Sequence, residues 1–252
     1  MKKFLLIFLL LIVLVIGALF VFGNRIVSAG LTAAVNEFGP QMTETPVTLE
    51  NTEVNLAGGT LTLNNFVIGP PEGFDASPMS LGKVEIGVVP KSLFSDRVIV
   101  KHVRITQPQL TVEQNMTANN LRRLLKNVQD FIGEKEQERE AQPPAEGEMV
   151  VAIREFIVRE GQVTATVAGQ PGVTVTLPPI EAQNLGGEEG VTPEEAVAMV
   201  IERLLLAALE AVAQQGGQLL EGAAGERLQE SANEAIEQGG NLIRGLRDRL
   251  PA

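Results

Sequence analysis

From Phe4 to Phe22 the chain carries not one charged or hydrogen-bonding side chain. At about 1.5 Å per helical residue this run reaches roughly 28 Å, close to the thickness of a bilayer's hydrocarbon core. It predicts a transmembrane helix, with residues 1–25 as an N-terminal anchor. Lys2 and Lys3 precede the run and Arg25 follows it. Counting the amino terminus, the positive bias places the N-terminus in the cytoplasm and the main domain outside it. Val27-Ser28-Ala29 would also fit the cleavage site of a secretory signal. Signal cores usually hold about 7–15 apolar residues, however, and the longer run favours an uncleaved anchor. Either reading exports the rest of the chain.

That remainder is large enough for one sizeable domain, in a chain of 252 residues that is 44% hydrophobic. The formal net charge is -11, which repels phosphate backbones, so no nucleic-acid partner is expected. Cysteine is absent, which excludes disulfides, thiolate metal sites and cysteine nucleophiles. Tryptophan and tyrosine are absent too, so an aromatic ligand cage has little to be built from.

Residues from Ile26 to Phe38 have helical spacing, with Val27, Leu31, Ala34, Val35 and Phe38 on one side. Beyond Pro46 the pattern changes to short β-rich segments separated by turn residues. They run over 48–50, 53–56, 60–63, 66–68, 81–89, 97–106 and 109–113, with Ala57-Gly58-Gly59 as a turn and Pro90 and Pro108 as punctuation. Asn119 to Phe131 is expected to be an amphipathic helix. Gly133 to Glu148 carries charge runs and Pro143-Pro144 and is expected to be a solvated linker. Strand signals resume at 150–158, 162–168, 173–177 and 180–185, with Glu160-Gly161 and Gly186-Gly187 as turns. Thr192-Pro193-Glu194-Glu195 combines an N-cap threonine, a proline at the first helical position and a capping-box glutamate. A helix is expected from there to about Gln215, and a second helical stretch over Gln218 to Leu250.

Residues that could carry chemistry are few. His102 is the only histidine and reads as a strand residue on a charged face. It has no histidine partner for zinc. The acidic residues from Glu134 to Glu140 read as a solvated charge run, and Gly58-Gly59 and Gly186-Gly187 lack the lysine of a phosphate loop. No catalytic, cofactor-binding or metal site is expected, and no cofactor. The prominent resource is apolar strand surface, which must be covered either by the C-terminal helices or by a lipid acyl chain. The positions expected to form that face are Leu61, Leu63, Phe66, Val84, Ile86, Val88, Leu110, Val112, Val163, Val167, Val173 and Val175.

Several segments occur in a recognisable order. Gly59-Thr60-Leu61-Thr62-Leu63-Asn64-Asn65-Phe66-Val67-Ile68-Gly69-Pro70 leads to Gly73-Phe74 and then to Leu81-Gly82-Lys83-Val84-Glu85-Ile86. Ser92-Leu93-Phe94-Ser95 follows, then the strand from Ile99 to Pro108, and Asn119-Asn120-Leu121. This order resembles the N-terminal domain of the AsmA-like proteins over roughly residues 1–130. Glu160-Gly161-Gln162-Val163 resembles the family's later strand pair. The resemblance implies a bacterial inner-membrane protein with its β-domain in the periplasm, similar to the chorein-like bridge proteins. It also implies a part in outer-membrane homeostasis, through binding or moving phospholipid along an apolar β-groove. The partners implied are the membrane, phospholipid and other envelope proteins, and no catalytic residue comes with the resemblance.

The expected fold is therefore α+β: an N-terminal transmembrane helix, a curved antiparallel sheet forming a groove, and C-terminal helices packed on or in that sheet. The division is anchor 1–25, β-rich segment with its helix 26–132, linker 133–148, continued sheet 149–187 and helical region 188–252. The expected function is a non-enzymatic, membrane-anchored envelope factor that handles lipid. The alternative is a structural scaffold whose sheet face is filled by its own helices.

Overall fold

The computed structural model describes residues 24–115, 118–140, 149–167, 172–216, 225–226, 229–234 and 236–237. The apolar run from Phe4 to Phe22 lies outside them. No helix among the described residues is long and apolar enough to cross a membrane.

Helix α1 covers residues 24–43. Nine strands follow, in one sheet: β1 Val47–Asn55, β2 Thr60–Ile68, β3 Met79–Val88, β4 Arg97–Thr106, β5 Gln109–Gln114, β6 Val150–Arg159, β7 Gly161–Val167, β8 Val173–Leu177 and β9 Ile180–Leu185. Between β5 and β6 lies helix α2, Asn120–Glu140, and after β9 lies α3, Pro193–Ala211. The architecture is α+β, with a curled mixed sheet in the shape of a half-barrel.

The nine strands behave as six long ribbons. β4 and β5 lie end to end along the same side of β3. β6 and β7 lie end to end along β4 and β5 in one unbroken register, from Arg97↔Val150 to Gln114↔Val167. β8 and β9 do the same along β7 and β6. The ladder is carried straight through the junction by Gln107 N–H donating to Arg159 O at 2.9 Å and Gln162 N–H donating to Pro108 O at 2.9 Å. Glu160-Gly161 is therefore a kink inside a ribbon rather than the turn expected from sequence. The β4·β6 and β5·β7 pairs are parallel, so the sheet is mixed and not the antiparallel one expected. The cause is α2, which returns the chain to the start of the next ribbon and so makes a crossover connection.

The kinks are aligned. Registration places Glu50, Asn65, Gly82, Gln107, Glu160 and Pro178-Pro179 in one row across all six ribbons. Asn65, Gln107 and Glu160 in that row have φ of 52, 54 and 58°, the left-handed region that non-glycine residues rarely adopt. Each shifts its strand's alternation by one residue, and because the neighbouring ribbons shift in the same row the register is kept while the ribbon bends. A second row joins the register shift at Gly87/Val88 with Lys101, Arg154 and Asn184, the last at φ 52°. Across each row the buried positions step by three instead of two: Val103 and Ile105, then Pro108, Leu110 and Val112. Both halves of every ribbon thus point their apolar side chains into the same concave face while the sheet curls.

β1 is sealed by α1. The Asn36 amide donates to Leu49 O at 3.1 Å and accepts from Leu49 N–H at 2.6 Å, imitating a strand partner. Thr52 Oγ1 donates to Ser28 O at 2.7 Å. Sealing an edge this way removes a template for unwanted strand pairing.

α2 extends to Glu140, through the first half of the segment expected to be a linker. Residues 134–140 are mostly Glu, Lys, Gln and Arg, which are good helix formers, and Lys135–Glu138 at 2.8 Å supports the turn. The helix simply continues into solvent, and 141–148 lie outside the described residues. α3 begins where expected: the Thr192 hydroxyl accepts from Glu195 N–H, and the Glu195 carboxylate accepts from Thr192 N–H. Of the stretch from Gln218 to Leu250, only residues 225–226, 229–234 and 236–237 are described, and these are helical. They dock on the start of α2 through Asn119 Nδ2 to Ser231 Oγ at 2.8 Å and Arg122 to Glu234 at 2.6 Å.

Candidate functional site on the concave face

All twelve positions singled out from the sequence turn toward the concave face, but they divide into two groups. Val84, Leu110, Val112, Val163, Val167 and Val175 are buried in the core. Leu61, Leu63, Phe66, Ile86, Val88 and Val173 are only half-buried. The division largely follows the helices, apart from Val84, buried on β3, and Val173, half-buried on β8. α2 packs on β5, and α3 packs on β5, β6, β8 and β9. Leu121, Leu124, Val128, Leu204, Leu205 and Leu209 close most of that half of the face. Leu61, Leu63, Ile86 and Val88 lie on β2 and β3, toward the end of the sheet where β1 turns into β2, and are left partly open.

The spacing of Leu61, Leu63 and Phe66 shows what the row of kinks does. Simple alternation would place Phe66 on the opposite face from Leu63. The one-residue shift at Asn65 brings it back.

The convex face is charged. Glu85 stands between Lys83 at 3.8 Å, His102 at 3.5 Å and Arg104 at 3.4 Å, and Arg104 also reaches Glu155 at 3.9 Å. The His102 ring lies flat over Gly87, where a Cβ would come within 2.4 Å of its Cε1. Lys83, Glu85, His102, Arg104 and Glu155 together read as a surface ion-pair network. Among the described residues, no group of three or more His, Cys, Asp or Glu side chains is placed to hold a metal ion.

Two buried polar features escaped the sequence reading. Asn120, fully buried at the start of α2, accepts from Glu113 N–H at 2.8 Å and donates to Thr111 O at 2.9 Å and Ala76 O at 3.3 Å. The Glu113 carboxylate in turn accepts from the N–H groups of Asp75 and Ala76 at 2.9 and 2.6 Å. Together they fasten the loop after β2 to β5 and α2. Its only signal in the sequence was Asn119-Asn120 ahead of an apolar stripe.

Glu202 is the second. It sits on the face of α3 that carries Ala198, Leu205 and Leu209, with no solvent exposure, and neither carboxyl oxygen has a hydrogen-bond partner among the described residues. Burial pushes its pKa up to about 8, against the opposing charge of Arg203 beside it. The group is therefore mostly protonated at pH 7. In the sequence nothing sets it apart from Glu195, Arg203 and Glu210, other charged residues along the helix.

No protein-family model matches the sequence, and no curated protein matches it as a relative.

Proposed function

We propose that the chain is a non-enzymatic, membrane-anchored factor of the AsmA type, which shelters lipid acyl chains on the open part of its concave face outside the cytoplasm. The observation that carries this reading is the half-buried track of Leu61, Leu63, Ile86 and Val88, on strands where α2 and α3 do not pack, while those helices close most of the face over β5 to β8. A track of this kind favours hydrocarbon by roughly 0.8 kcal/mol per buried methylene. The apolar run from Phe4 to Phe22 supplies the anchor, and the ordered segments from Gly59 to Leu121 supply the family reading and with it the bacterial inner membrane and the periplasm.

The test is site-specific photo-crosslinking in the full chain within its native membrane. A photoreactive residue at Leu61 or Ile86 should capture phospholipid. The same residue at Thr62 or Glu85, at the same height on the opposite face, should not. Equal capture on both faces, or none at Leu61 and Ile86, refutes the lipid-carrying role.

A second reading has its own support. The half of the concave face over β5, β7 and β8 is filled by this chain's own helices, as in a scaffold that presents a finished surface to other envelope proteins. Protein rather than lipid captured at Leu61 and Ile86 would favour it.

A further inference from the structure

Eight large apolar side chains are exposed among the described residues: Ile26, Val27, Phe38, Leu56, Leu93, Phe94, Met149 and Val197. Scattered single examples are normal on protein surfaces. These are not scattered, because six of the eight gather at one end of the sheet. Leu56 lies in the β1–β2 turn. Leu93 and Phe94 belong to the short 3-10 turn Pro90–Phe94 that follows β3. That turn packs on the β1–β2 turn, since Val88 N–H donates to Gly59 O at 2.7 Å and a Cβ on Gly59 would meet Pro90 Cγ at 2.9 Å. Met149 opens β6 beside it, where Val150 N–H donates to Asp96 O at 2.7 Å. Ile26 and Val27 lie in the first described turn of α1, and Asn24 Oδ1 accepts from Leu56 N–H at 3.3 Å, fixing the start of α1 to the same rim. Phe94 is 92% exposed, a cost in water that no contact within the described residues offsets.

The chain therefore enters the domain at this rim, and the residues directly before it are the apolar run Phe4 to Phe22. We infer that this rim is a membrane-docking surface: Leu93, Phe94, Leu56 and Met149 dip into the bilayer from which the anchor emerges. The inference rests on the anchor reading above. It goes further by fixing which end of the half-barrel meets the lipid. The half-buried track of Leu61, Leu63, Ile86 and Val88 begins at the same end, so an acyl chain could pass from bilayer to sheet without crossing water. Amphipathic surfaces of this kind bind through buried apolar area, supplemented by headgroup charge where basic residues predominate. Here they do not predominate. Exposed Arg25, Lys91 and Arg97 share this rim with exposed Asp96, Glu188 and Glu189. Docking should accordingly depend on hydrocarbon insertion and little on anionic lipid.

Because the chain has no cysteine, single-cysteine labelling is clean. Full-length Phe94→Cys, Met149→Cys, Glu72→Cys and Val13→Cys would each carry an environment-sensitive fluorophore after reconstitution into vesicles, either of neutral phosphatidylcholine or with added anionic lipid. Brominated acyl chains serve as the quencher. The expected result is blue-shifted emission and quenching at positions 94 and 149 in both vesicle types, and water-like, unquenched emission at position 72, which lies at the opposite end of the sheet. Quenching at 13 without quenching at 94 and 149 overturns the docking surface and leaves the anchor standing. Absence of quenching at all three overturns both. Quenching at 94 only in anionic vesicles overturns insertion in favour of headgroup attraction.

Discussion

Glu202 offers the sharpest test of the packing. Its carboxyl is fully buried without a partner, and its pKa in the folded chain is pushed up to about 8 from an ordinary 4.5. Between those two values the folded state holds a proton that the unfolded state has released. Stability therefore falls as pH rises through this window, by about 1.4 kcal/mol per pH unit at the steepest. Below about pH 4.5 both states are protonated and there is no cost; above about pH 8 the cost is complete, at about 5 kcal/mol. At pH 7 it already amounts to about 3 kcal/mol. Glu202→Gln removes the titration and Glu202→Met removes the buried polar group as well. The expected result is that the stability gap between each variant and the parent widens steadily from about pH 5 to about pH 8. Glu202→Met should also be the more stable protein at pH 7 by about 3 kcal/mol. Urea unfolding followed by circular dichroism, repeated across the pH series, measures the gap. A gap that stays constant with pH would mean that the carboxyl ionises normally in the fold, and the account of a dry, unpartnered site on α3 would be wrong.

Three further outcomes are expected. Asn120→Ala leaves Glu113 N–H, Thr111 O and Ala76 O without their partner and should cost about 3 kcal/mol, read as a lowered urea midpoint. Gly87→Ala drives a methyl into the His102 ring and should cost about 1–3 kcal/mol, and His102→Ala in the same chain should recover most of it; additive losses in the double-mutant cycle would refute the contact. Gln107→Gly relieves a left-handed backbone and should raise stability by up to about 1 kcal/mol, while Gln107→Val should lower it by more than that.

Much of the fold was legible because its strands are short, β-rich and bounded by proline, glycine and asparagine. Thr192-Pro193-Glu194-Glu195 announced α3 to the residue, since a capping box is a local arrangement that needs no tertiary context. What the sequence hid was non-local. Whether β4 and β6 run parallel depends on the path of α2, and nothing in either strand records it. Glu160-Gly161 has the chemistry of a turn, and only the partner strand shows that the ladder continues through it. The helix past Gly133 was obscured because a charged, proline-terminated segment looks like a linker until ion pairs hold its first half. The concave face was legible as a set of residues, but the partition into covered and open halves was not. That depends on where α3 comes to rest. Glu202 was hidden for the same reason: a glutamate among leucines marks the wet side of a helix only if that side is left wet.

The rows of kinks impose a rule on how this sheet can change. A residue inserted into or deleted from one ribbon would shift its bend out of line with its neighbours and flip every side chain beyond it. Asn65, Gln107 and Glu160 can keep a common row only if the six ribbons keep a common count. Length is thus a property of the whole sheet, fixed across its width. A longer groove is reached by adding complete ribbons, each carrying its own bend in the same place, and not by stretching any one of those already present.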